Sequence, residues 1–98
     1  MLASGKVELL NVNHPGKKNS GDKAKYDAMK AAMMHVLPSS APGVTIEELQ
    51  SRVLPELPEI TFPAGATAGW WLKAVQLDLE ARGVVRRENT KPLRLHKS

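Results

Sequence analysis

The run Gly69-Trp70-Trp71-Leu72-Lys73-Ala74-Val75-Gln76-Leu77-Asp78-Leu79-Glu80-Ala81-Arg82-Gly83-Val84-Val85 constrains this chain more than any other stretch. Leu72, Val75 and Leu79 recur at helical spacing with Trp71 beside them, so the run reads as a helix with one apolar face. Gly83 stands where a helix wants a left-handed residue just past its end, and Arg82 lies in the last turn, where a cation suits the helix dipole. Val84 and Val85 then turn the local preference from helix to strand.

Two further helices precede it. Asp22 is a good N-cap for a helix over about 23–36, with Tyr26, Met29, Met33, Val36 and Leu37 on one stripe and Pro38 as its stop. Met34 is expected to be a partly exposed neighbour of that stripe. Thr45-Ile46-Glu47-Glu48 is a capping box that opens a second helix over about 46–54, with Ile46, Leu49 and Val53 inward. Val44 before it offers a short strand.

Residues 55–66 form a connection about three times longer than the turn of a simple helix–turn–helix, with Ile60 and Phe62 expected to tuck inward. Thr67 is the expected cap of the third helix. The end reads as a hairpin, with strands over about 84–88 and 93–96 joined by Asn89-Thr90-Lys91-Pro92. In its second strand Leu93 and Leu95 point inward and Arg94 and His96 form a basic outer face. Residues 1–21 read as an arm, with Val7–Val12 either a short strand or an extended segment, and residues 22–98 as the domain proper.

Length and composition fit one small domain: 98 residues, 42% hydrophobic, 24% charged. The absence of cysteine excludes a disulfide framework, a thiol nucleophile and any Cys-ligated metal. With no apolar run near the ~18 residues of a membrane span and no secretion signal at the start, a cytoplasmic protein is expected. The net charge of +4 is unevenly spread: +3 over residues 1–30, −4 over 31–81 and +5 over 82–98. Basic ends either wrap a polyanion or simply keep a small protein in solution.

The order helix, short strand, helix, helix, strand, wing, strand resembles the winged helix–turn–helix superfamily, an α+β fold of three helices with a C-terminal β-hairpin wing. Leu77–Arg87 is similar to the junction of recognition helix and wing in bacterial winged-helix regulators. Asn11–Gly16, Lys25-Tyr26, Gly69-Trp70-Trp71 and Val75–Glu80 together resemble a small family of uncharacterised bacterial proteins, a domain of unknown function. That second resemblance spans nearly the whole chain and implies no activity. The first implies a DNA partner or a protein partner, since the fold serves both.

If DNA is the partner, the third helix would enter the major groove. Lys73, Gln76 and Glu80 share its polar strip, which makes Lys73 and Gln76 the base-edge or phosphate residues. Arg86, Arg87, Lys91 and Arg94 would reach phosphates from the wing, and Lys17 and Lys18 from the arm. The alternative is a protein-interaction winged helix using Trp70, Leu77 and the 55–66 loop, with a homodimer among its options. Trp71 belongs to the core face, whereas Trp70 shares a second apolar strip with Ala74, Leu77 and Ala81, and either packs under the arm (Leu9, Val12) or Phe62, or forms a free surface. His14, His35 and His96 have no ligand spacing, and no phosphate loop, dinucleotide fingerprint or paired carboxylate stands out. No catalytic, cofactor-binding, metal or small-molecule site is therefore expected.

Overall fold

A computed structural model describes residues 6–16 and 19–98. The expected arm contacts of Lys17 and Lys18 lie outside these residues. The chain is α+β, with three helices and two small sheets. A first antiparallel pair, β1 (Lys6–Leu9) and β2 (Asn19–Asp22), leads into α1 (Lys23–Val36). There follow β3 (Val44–Thr45), α2 (Ile46–Val53), single 3-10 turns at Leu54–Glu56 and Pro63–Gly65, α3 (Ala68–Ala81), β4 (Val85–Glu88) and β5 (Arg94–Lys97). The second sheet is antiparallel in the order β3-β5-β4, so the last strand is its centre.

Local chemistry explains most of the boundaries. The Asp22 carboxylate accepts from the backbone N–H groups of Ala24 and Lys25, which caps α1. Thr45 and Glu48 form the reciprocal capping box of α2. Pro55 falls in a 3-10 turn, where its missing N–H costs nothing. At the end of α3, Gly83 takes φ 77°. Its N–H donates to Glu80 O and that of Val84 to Leu79 O, the Schellman pattern.

The core joins all three helices and both sheets. Met29 and Met33 of α1, Leu49 and Val53 of α2, Val75 and Leu79 of α3, and Leu95 of β5 are fully buried with Phe62. Met34 and Val36 lie at the edge of this cluster. Lys25 Nζ stands 4.9 Å from the Phe62 ring centroid and donates to Thr61 O, so Phe62 is held from both sides.

Three expectations need correction. Ile60 is not inward but 91% exposed, because Thr61 and Phe62 both donate to Pro58 O and leave Ile60 at the apex of that turn. Thr67 precedes α3 but makes no capping hydrogen bond; it lies in the left-handed region at φ 59°, and its hydroxyl donates to Ala66 O. The segment before α1, expected to hold one short strand at most, holds two, since residues 19–22 pair with β1. Asn19-Ser20-Gly21-Asp22 has no β-branched or aromatic residue to announce a strand. Pairing with β1 creates it, and Gly21 permits it: a Cβ there would stand 2.9 Å from Trp71 Cη2 and 3.0 Å from Leu9 Cδ1.

Gly43 plays the same part in the second sheet. It has φ 87°, and a Cβ would lie 2.6 Å from the Leu95 carbonyl carbon, with the carbonyl oxygen closer still. Gly16 has a similar φ of 90° but no atom within 4 Å of an added Cβ. Gly16→Ala is therefore expected to cost about 1–2 kcal/mol, the left-handed penalty alone. Gly43→Ala should cost about 1–3 kcal/mol more, because the overlap adds to it. Urea midpoints of the two variants check this; equal losses would show that β5 yields freely.

Candidate nucleic-acid interface

The residues of interest lie where the arm meets α3, and their organisation begins with one carboxylate. Asp78 is completely buried. Its Oδ1 accepts from the Leu10 N–H at 2.9 Å and its Oδ2 from the Tyr26 hydroxyl at 2.5 Å. Arg82 Nε lies 2.9 Å from both oxygens, and Arg82 Nη2 donates to Glu8 O. The arm, α1 and α3 thus meet at one charge. Burial, then the hydrogen bond to Asp78, pushes the Tyr26 phenol from 10.0 up to about 12. The Arg82 guanidinium is raised too, first by its bond to Asp78.

Beyond Leu10 the arm continues across the helix. Val12 N–H donates to Leu77 O, and Asn11 closes an Asx turn by accepting from Asn13 N–H. This crossing changes the strip that sequence spacing assigned to DNA. Gln76 is not on a free face: it is 3% exposed, and its Nε2 donates to Glu80 Oε2. Its Oε1 has no partner among the described residues. The Glu80 carboxylate is itself buried and takes a two-pronged bond from Arg87 Nε and Nη2. That pairing raises the Arg87 guanidinium and engages it within the fold.

The remaining cations of the β4–β5 hairpin divide. Arg94 is half-buried, donates to Gly43 O at 3.1 Å and stands 3.6 Å from Glu48 Oε1, so it ties β5 to the start of α2. Arg86 and Lys91 are exposed, as is Lys73 on α3, and none has a hydrogen-bond or ion-pair partner among the described residues. His96 is not on an outer basic face but buried, because β5 is the central strand. Its Nε2 meets Glu88 Oε2 at 2.8 Å and its Nδ1 lies 2.7 Å from Lys97 O. The bond to Glu88 is the first cause that raises the imidazole above 6.5.

Trp70 is 62% exposed, whereas Leu77 of the same strip is buried. Trp71 meets the Trp70 ring edge-on, with centroids 5.0 Å apart and planes at 76°. A groove of about 380 Å³ runs between the arm and this end of α3. The arm supplies Leu9, Leu10 and Asn11, and the helix supplies Trp70, Lys73, Ala74 and Leu77. Asn19 and Ser20 of β2 complete it. A second, more polar groove of about 390 Å³ lies where Val12 and Asn13 approach Arg86, Arg87 and the Glu80 and Glu88 carboxylates. Glu80 is bound by the Arg87 guanidinium and Glu88 by the His96 imidazole.

Sequence reasoning missed Asp78 as the organiser and the arm as a lining element. A signal for the first was present: Asp78 falls beside Trp71 and Val75 on the helical wheel, four residues before Arg82. Nothing local announced that Leu10 would cap that carboxylate, since the pair is 68 residues apart.

The class is thus an α+β domain whose N-terminal hairpin is fastened to its third helix by a buried carboxylate. The chain belongs to a family of unknown function, DUF6958, whose profile matches residues 6–95. No curated protein and no solved structure matches it. Among the described residues no helix is long and apolar enough to cross a membrane.

Two pH dependences follow. The single tyrosine of the chain allows a clean tyrosinate titration. Its folded value is raised, so the unfolded chain loses its proton first and stability falls as pH rises from 10.0 to about 12. Native protein should titrate above 10.0 and Asp78→Asn lower than native, since the carboxylate contributes to the rise; an ordinary native value would remove the Tyr26–Asp78 bond. The His96 value is raised as well, so its contribution is complete below 6.5 and is lost as pH rises through the folded value. Urea midpoints should fall over that window in the native chain and change less in His96→Gln.

Proposed function

We propose that this is a winged-helix nucleic-acid-binding protein that grips duplex phosphates with the free cations of its wing and does not read bases with α3. The observation that carries the proposal is the pairing pattern on one face. Glu80 and Glu88 are bound to Arg87 and His96, while Arg86 and Lys91 have no partner among the described residues. The wing therefore carries surplus positive charge in a chain of net charge +4. Element order and the sheet order β3-β5-β4 support the winged-helix reading. The burial of Gln76 supports the exclusion of base readout, because a side chain 3% exposed and bonded to Glu80 does not reach a base edge.

The exposure of Trp70 favours a second reading, a protein-interaction winged helix. It requires self-association or partner binding that Trp70→Ala abolishes, with no affinity for nucleic acid. Sedimentation of both chains over a range of concentrations tests the dimer form.

The first reading is tested with a mixed-sequence DNA duplex at several salt concentrations. Affinity should fall steeply with salt, because each phosphate contact releases counterions. Arg86→Ala combined with Lys91→Ala should reduce the slope of log affinity against log salt by about two, one for each lost contact. Arg87→Ala should instead lower stability, since it leaves the buried Glu80 carboxylate unpaired. Absence of duplex binding at low salt overturns the reading.

A further inference from the structure

The groove between the arm and α3 is not needed for phosphate contact by the wing, yet it is lined by residues of a distinct chemistry. Trp70 presents its ring to solvent while Trp71 meets it edge-on, which restrains the plane of the exposed indole. Leu9 and Leu10 of the arm, with Ala74 and Leu77 of α3, add apolar surface beside it. Lys73 is the charged side chain of the lining, and no carboxylate accompanies it among the described residues. Asn11, Asn19 and Ser20 bring amide and hydroxyl groups that can both donate and accept. A volume of about 380 Å³ lies at the low end of the range of small-ligand sites.

An exposed, oriented indole is a stacking platform for a flat ring. A neighbouring cation with no competing carboxylate calls for an anionic group on the same ligand. Side-chain amides and a hydroxyl suit the edge of a heteroaromatic ring better than a hydrocarbon one. From these we infer that the groove binds a nucleotide unit, with its base stacked on Trp70 and its phosphate at Lys73. The inference rests on the nucleic-acid reading and deepens it: the wing grips phosphates, and the groove takes one unstacked base. The same chemistry is offered by a free nucleotide and by a nucleotide within a single strand.

The Leu10 N–H bond to Asp78 and the Val12 N–H bond to Leu77 O hold the arm's side of the groove in place. The site is therefore preformed, and binding need not order it.

The test uses the full chain, a fluorescein-labelled single-stranded oligoadenylate, and adenosine monophosphate as competitor. Trp70→Ala should weaken oligoadenylate binding by about tenfold or more, the loss of one base stack, and Trp70→Phe should restore most of it. Lys73→Gln should reduce the salt slope for the single strand by about 0.7, one phosphate contact. Trp70 is exposed, so its variants are expected to keep the native circular dichroism and melting temperature. Displacement of the strand by adenosine monophosphate assigns the groove to free nucleotides as well. Trp70-dependent binding of the strand without such displacement assigns it to nucleotides held in a strand.

Oligoadenylate binding by Trp70→Ala within about twofold of the native chain overturns the inference, because the stacking contribution would then be missing. If duplex binding and its dependence on Arg86 and Lys91 persist in that case, only the groove is lost. Conversely, Trp70-dependent strand binding by a chain that ignores duplex DNA keeps the groove and removes the wing reading. Self-association that depends on Trp70, without nucleotide binding, overturns the inference in favour of a protein contact.

Discussion

A carboxylate with no exposure to water has to be matched on all sides, and Asp78 is matched by three different parts of the chain. Leu10 comes from the arm, Tyr26 from α1 and Arg82 from the last turn of α3. Removing any one leaves a buried charge short of a partner, so the three elements are held in one arrangement by a shared electrostatic demand. Gly21 adds a steric condition to it, since β2 crosses the Trp71 ring where a side chain would not fit. The arm is docked by these two conditions together with the burial of Leu9 in the core.

That docking sets what α3 can offer. Had the arm stayed free, the polar strip of α3 would resemble a reading face. With residues 10–13 laid across it, Gln76 is buried and Glu80 and Arg87 satisfy each other. The cations without a partner among the described residues stand at the rim, Lys73 in one groove beside the arm and Arg86 in the other. Trp70 remains outside, because its strip of α3 is only partly covered: the arm buries Leu77 but does not reach the first turn. A polar groove and a groove with an exposed indole thus share one crossing segment.

The helices were legible because their signals are local. Asp22 and Thr45 cap where side-chain oxygens can reach backbone N–H groups a turn ahead, and Gly83 ends α3 because only glycine takes φ 77° without cost. The stripe Tyr26, Met29, Met33, Leu37 needed only the helical period. The 55–66 segment was half legible: Phe62 is inward and Ile60 is not, since two equally apolar residues are separated by a turn whose bonds to Pro58 O no periodicity records. β2 was illegible, as its residues carry no strand preference. His96 was misplaced because alternation within one strand cannot tell whether a second strand lies on its far edge.

By itself the sequence determined three helices, the N-caps of the first two and the glycine stop of the third, a terminal hairpin and a basic C-terminal segment, all of which depend on neighbours within a few residues. Only the tertiary structure decided which of those charges are free. The Arg87–Glu80 pair requires β4 to fold back beside α3, and the arm meets α3 through a carboxylate 68 residues from the N–H it accepts. Spacing along a helix specifies which side chains share a face. Whether that face meets water is fixed by distant segments, and here Gln76 is buried while Trp70 is exposed.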